Sequence, residues 1–110
     1  MKQYVVDEIR AVDHEKIKAY LDAEFGPAEM GGIYWIPMAE EMLSEAQRAH
    51  KACQPFFFAL DLELDRLSCE FLIRTRERIR CDCINYATDS QRNWLVGMVD
   101  AVFEKLEIHT

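Results

Sequence analysis

The chain of 110 residues contains no apolar run approaching the ~20 residues that a bilayer-crossing helix needs. It has no G-x-S-x-G, no H-E-x-x-H and no P-loop, so the common signatures of a hydrolase nucleophile, a zinc protease and a phosphate cradle are missing. Gly31-Gly32 lacks the third glycine and the strand-to-helix context of a dinucleotide fingerprint. There is no internal repeat, no low-complexity run and no linker. The opening stretch MKQYVVDEIRAVDHEK has no signal-peptide apolar core, because Asp7, Glu8 and Arg10 interrupt it. The expectation is a cytoplasmic protein with no membrane partner, whose thiols are reduced.

Positive charge is also short. Thirteen Lys and Arg stand against twenty Asp and Glu, a net charge of −7. Such a surface repels phosphate backbones and makes nucleic acid an unlikely partner. The deficit is uneven. Residues 74–80 hold four Arg and one Glu, or +3, which leaves −10 on the remainder.

What is present is ordinary globular material. Half the residues are hydrophobic and 30% are charged, and the length suits one domain. QYVVDEI (3–9) reads as a strand. Asp13 would cap a helix over 14–25 that carries Ile17, Tyr20, Leu21 and Phe25 on one face and stops at Gly26-Pro27. IYWIP (33–37) reads as a strand, with Ile33 and Trp35 facing one way and Tyr34 and Ile36 the other. A second helix with a thin, alanine-rich apolar side is expected over 39–52. Thr88 and Gln91 form a capping box at the head of a helix over 89–107, which carries a stripe from Trp94 to Leu106.

Between them, three segments alternate with period two: Phe56 to Leu64, Leu67 to Ile73, and Ile79 to Cys83. Pairing core positions with core positions puts a two-residue loop at Asp65-Arg66. Leu64 then meets Leu67, Leu62 meets Cys69, Leu60 meets Phe71 and Phe58 meets Ile73. An odd loop at Arg76-Glu77-Arg78, or a longer one, pairs Ile73 with Cys81 and Phe71 with Cys83. The fold class expected is α+β, of order β-α-β-α-β-β-β-α. An antiparallel meander over about 55–86 is covered on one face by helices, including the long C-terminal one.

The same register assigns an opposite face with apolar members Phe57, Ala59, Leu72, Ile84 and Tyr86. Three explanations are open: scattered surface apolar residues, cover by the N-terminal segment or the second helix, or homodimerisation. Phe57, Leu72, Ile84 and Tyr86 are the candidate interface residues.

Two side-chain clusters invite a chemical reading. Arg74, Arg76, Arg78 and Arg80 carry guanidinium forks suited to an anionic ligand, and a solvated charged hairpin is the plainer reading. Cys81 and Cys83 lie about 6.5–7 Å apart along one strand, too far to share a metal or a disulfide without a bend. They read as small buried hydrophobes, like Cys69. Cys53 and His50 share a helix face but have no second close Cys/His pair, so neither a metal nor a cofactor is expected. The functional expectation is a small acidic protein without catalytic activity that acts through protein contacts, self-associating or as an accessory to another protein. The alternatives are a binding module for a small anion at residues 74–80, and a thiol or metal protein using Cys53 with Cys81 and Cys83.

Overall fold

The structure is a computed structural model, and it describes residues 2–29, 31–75 and 85–109. Among these residues it is α+β, a five-stranded antiparallel sheet with three α-helices. The elements are β1 (Gln3–Val6), α1 (Ala11–Phe25), β2 (Ile33–Pro37), α2 (Glu45–Ala49), β3 (Phe56–Leu62), β4 (Leu67–Glu70), β5 (Arg74–Thr75) and α3 (Asp89–Lys105). The sheet order is β1-β4-β3-β2, and β5 also pairs with β3.

Alternation in β3 sets the two faces. Phe56, Phe58, Leu60 and Leu62 point inward and are buried, while Asp61 is exposed on the other side. Their cross-strand neighbours Tyr34, Ile36, Leu67, Cys69 and Ile73 complete the inner face. Helices supply the rest of the core through Ile17, Leu21, Leu95, Val99 and Phe103, residues spaced to share one side of each helix. At roughly 1.5–3 kcal/mol for each large apolar side chain removed from water, this shared core is the main favourable term.

The 55–75 pairing corrects the expected register at one end only. Leu62 pairs with Leu67 and Leu60 with Cys69, two residues off the expected scheme, whereas Phe57 pairs with Arg74 in agreement with it. Glu63 N–H donates to Arg66 O at 2.8 Å, so the tip is Leu64-Asp65 and not Asp65-Arg66. This choice opposes Glu63 to Arg66, which form an ion pair, and leaves Leu64 80% exposed instead of in the core. The offset is absorbed between β4 and β5. There Phe71 N–H turns to Lys2 O and Ile73 N–H to Asn85 O, away from β3. Because the offset is even, every side chain keeps its face.

Other boundaries differ for local reasons. The first strand ends at Val6, and Glu8 adopts a positive φ of 55°. Helix α1 starts earlier than expected, with Arg10 as N-cap. Asp13 is fully buried in its first turn and takes two hydrogen bonds from Arg10, at 2.9 and 3.4 Å. A carboxylate there favours the positive end of the helix dipole without capping it. The single helix expected over 39–52 is instead α2 flanked by 3₁₀ turns at Glu40–Met42 and Lys51–Cys53. Ser44 breaks the run and restarts it with its own capping box to Gln47. On the returning segment Leu72 bridges Tyr86, four residues beyond the expected pairing, again an even displacement.

Candidate interaction surface

The contacts that hold helices to the sheet run through its inner face. Tyr34 on β2 donates its hydroxyl to Asp22 of α1 at 2.6 Å, and Tyr4 on β1 donates to Asp100 of α3 at 2.6 Å. The Trp94 ring of α3 stacks on Phe58 with centroids 6.0 Å apart. Gln91 of α3 reaches Gln47 of α2 at 3.0 Å and Met42 O at 2.8 Å. So the second helix lies on the helical side, and the N-terminal strand widens the sheet at its edge. The second helix therefore lies away from the outer face, whereas the N-terminal segment reaches Tyr86 through Lys2, so cover accounts for Tyr86 but not for Phe57, which packs on Trp35.

The outer face is divided. Across β2 and β3 it presents Ile33, Trp35, Pro37, Phe57 and Ala59. Trp35 and Phe57 meet edge to face, with centroids 5.9 Å apart and planes at 78°. Across β4 and β5 it presents Ser68, Glu70 and Arg74. A shallow depression of about 500 Å³ joins the halves, with Trp35, Ala59 and Asp61 on one side and Ser68, Glu70 and Arg74 on the other. Trp35, the largest group here, lies on the side of the strand that it shares, by alternation, with Ile33. Alternation gave its partnership with Ile33 but could not say which side was the core.

Of the interface candidates, Phe57 is half-buried against Trp35, Leu72 is half-buried beside Tyr86, and Tyr86 is 41% exposed beneath the Lys2 ammonium, 5.3 Å from its ring centre. Ile84 lies outside the described residues. Of the four arginines, only Arg74 is described. It donates to both carboxylate oxygens of Glu70, at 2.8 and 3.3 Å. That fork-to-fork pairing raises the Arg74 pKa further and occupies the guanidinium geometry an anion would use. Arg76, Arg78 and Arg80 lie outside the described residues, as do Cys81 and Cys83.

Both described cysteines, Cys53 and Cys69, are buried. Burial, reinforced by the Asp100 charge, pushes the Cys69 thiol up to about 12, the opposite of an activated nucleophile. Cys53 N–H donates to His50 O at 3.0 Å, a backbone turn. Among the described residues no group of three or more His, Cys, Asp or Glu side chains is placed to hold a metal ion. A wider depression of about 660 Å³ at the β3–β4 tip gathers His14, Lys18, Asp61, Glu63 and Asp65 around Gly31 and Gly32. Its charges are of mixed sign, and Glu63 is already paired with Arg66.

No helix among the described residues is long and apolar enough to cross a membrane. Comparison with protein-family models, with curated proteins and with solved structures finds no match to this chain.

Proposed function

We propose that the protein is a non-catalytic interaction domain whose working surface is the outer face of the sheet, and that a second copy of the chain is the first occupant of that face. The observation that carries this reading is the asymmetry of the two layers. The described helix contacts lie on one side, while the other side keeps the half-buried Trp35–Phe57 pair and Ile33 grouped around the buried Ala59. Such a patch marks an interface more often than a solvated sheet surface. A two-fold axis through it would set each copy's Trp35–Phe57 ridge against the other's, the isologous arrangement usual for homodimers.

Sedimentation velocity from about 1 to 100 μM, a range in which modest interfaces populate dimers, tests this. A concentration-dependent dimer is expected, and Phe57→Glu should abolish it while leaving the circular dichroism spectrum intact. A wild-type monomer across the whole range overturns the self-association. A dimer indifferent to Phe57→Glu overturns the choice of face.

A further inference from the structure

A groove of about 310 Å³ runs between the C-terminal end of α1 and strand β2. Its walls include Glu24, Phe25, Glu29, Ile33, Trp35 and Phe57. Three features of it point the same way. The last turn of α1 has no basic residue, although the negative end of a helix favours one. It ends instead on acidic groups. Asp22 is engaged by Lys18 at 2.8 Å and by the Tyr34 hydroxyl, whereas Glu24 is exposed at the mouth of the groove. Second, the groove wall holds two aromatic rings in edge-to-face contact, and an aromatic face attracts a cation. Third, the whole chain carries −7, so the long-range field also draws a positively charged partner.

The mode of entry is constrained as well. Strand addition at the β2 edge is blocked at both ends. Ile33 already exchanges backbone hydrogen bonds with Glu29, each 2.8 Å, and Pro37 has no N–H to give. A side chain can enter where a strand cannot. Arginine fits better than lysine, because a planar guanidinium stacks on a ring and forks to carboxylates.

We propose that this groove takes an arginine side chain from a segment of another protein, its guanidinium lying against Trp35 and Phe57 and bonding Glu24 and Glu29. This rests on the reading of the chain as an interaction domain and names the chemistry of its partner. It does not depend on self-association, with which it shares Trp35 and Phe57.

The test is a titration of ¹⁵N-labelled protein, at a concentration where sedimentation shows monomer, with acetyl-Ala-Arg-Ala-amide. Acetyl-Ala-Glu-Ala-amide serves as the control. A single anchored side chain gives a dissociation constant on the order of a millimolar. Saturable shifts of the Trp35 indole and Ile33 amide signals are expected with the arginine peptide alone, weakened about tenfold in Glu24→Gln plus Glu29→Gln. These exposed substitutions leave the core untouched, and an unchanged melting temperature verifies it. Absence of saturable shifts, equal shifts with the glutamate peptide, or full binding by the double variant overturns the proposal. So do shifts centred on Asp61, Glu63 and Asp65, which would mean diffuse attraction. If the chain proves monomeric and still binds arginine here, only the self-association reading fails.

Discussion

Two tyrosines do similar work on opposite edges of the sheet. Tyr4 on β1 and Tyr34 on β2 each donate a hydroxyl hydrogen bond to an aspartate on a different helix. Both pKa values rise, that of Tyr4 chiefly through its bond to Asp100, from 10.0 to about 12, and that of Tyr34 chiefly through burial, with Asp22 adding to it. A group whose folded pKa is raised stabilises fully below its unfolded pKa and loses that contribution as pH climbs through the folded one. The Tyr4 contribution is therefore complete below pH 10 and disappears by about pH 12. Urea titrations at pH 9 and pH 11.5 should show Tyr4→Phe costing about 1 kcal/mol at the lower pH and less at the higher. Tyr34 and the buried Cys69 thiol shift in the same direction, so the stability of the Tyr4→Phe variant also falls as pH rises, and only the difference from wild type reports on Tyr4. A cost that did not shrink with pH would mean that the Tyr4–Asp100 bond is not what raises the phenol's pKa. Neither aspartate was recognisable as a phenol acceptor in the sequence, because pairs 96 and 12 residues apart have no local signature. The reverse holds for Cys69. Its alternation with Leu67 and Ile73 already placed it in the core.

At the scale of elements, the two capping boxes are one device. Ser44–Gln47 heads α2 and Thr88–Gln91 heads α3, and the Gln91 amide spans the gap to Gln47 and to Met42 O. Both glutamines are buried, at 4% and 3% exposure, so neither can fall back on water. Gln91→Ala removes a cap and strands buried acceptors, which should cost about 2–3 kcal/mol. A double-mutant cycle with Gln47→Ala should return a coupling of about 1 kcal/mol, read from chemical denaturation. Additive effects would mean that the two helix starts are independent. Gly32 ties the β2–β3 edge in a different way. A Cβ there would run into the Leu62 carbonyl, and that strand cannot retreat because Leu62 N–H donates to Gly32 O at 2.9 Å. Gly32→Ala should lower stability by about 1–3 kcal/mol, checked by thermal melting, whereas Gly97→Ala, in open space on α3, should not. The sequence was most legible where structure is local. The Thr88 box, the IYWIP strand and the inner face of β3 appear as read. It was least legible where a choice depended on distant partners. The tip of the β3–β4 hairpin moved by one residue because Glu63 and Arg66 pair across it, and Leu64 was given up to solvent. The helix expected over 39–52 broke because Ser44 restarts it and Gln91 fixes the restart. Of the candidate sites, the identity of the outer-face residues was available from alternation, but Trp35 as their centre required knowing which side the helices take.

At the scale of the whole molecule, two modes of association make opposite demands on salt. Each copy carries −7, so two copies meeting through the apolar outer face repel one another at long range. Added salt shortens the screening length from about 30 Å at 0.01 M to about 8 Å at 0.15 M, which relieves the repulsion and leaves apolar burial nearly unchanged. Self-association through the Trp35–Phe57 patch should therefore strengthen between 10 and 150 mM sodium chloride, two ionic strengths chosen to bracket that change. An arginine entering the groove beside Glu24 and Glu29 is attracted by the same field, and its binding should weaken over the same interval. The two titrations, run on one preparation, give slopes of opposite sign if both surfaces work as described. A dimer that dissolves with rising salt would require charge-complementary contacts between copies, which the apolar ridge does not provide. It would place the dimer interface elsewhere on the molecule.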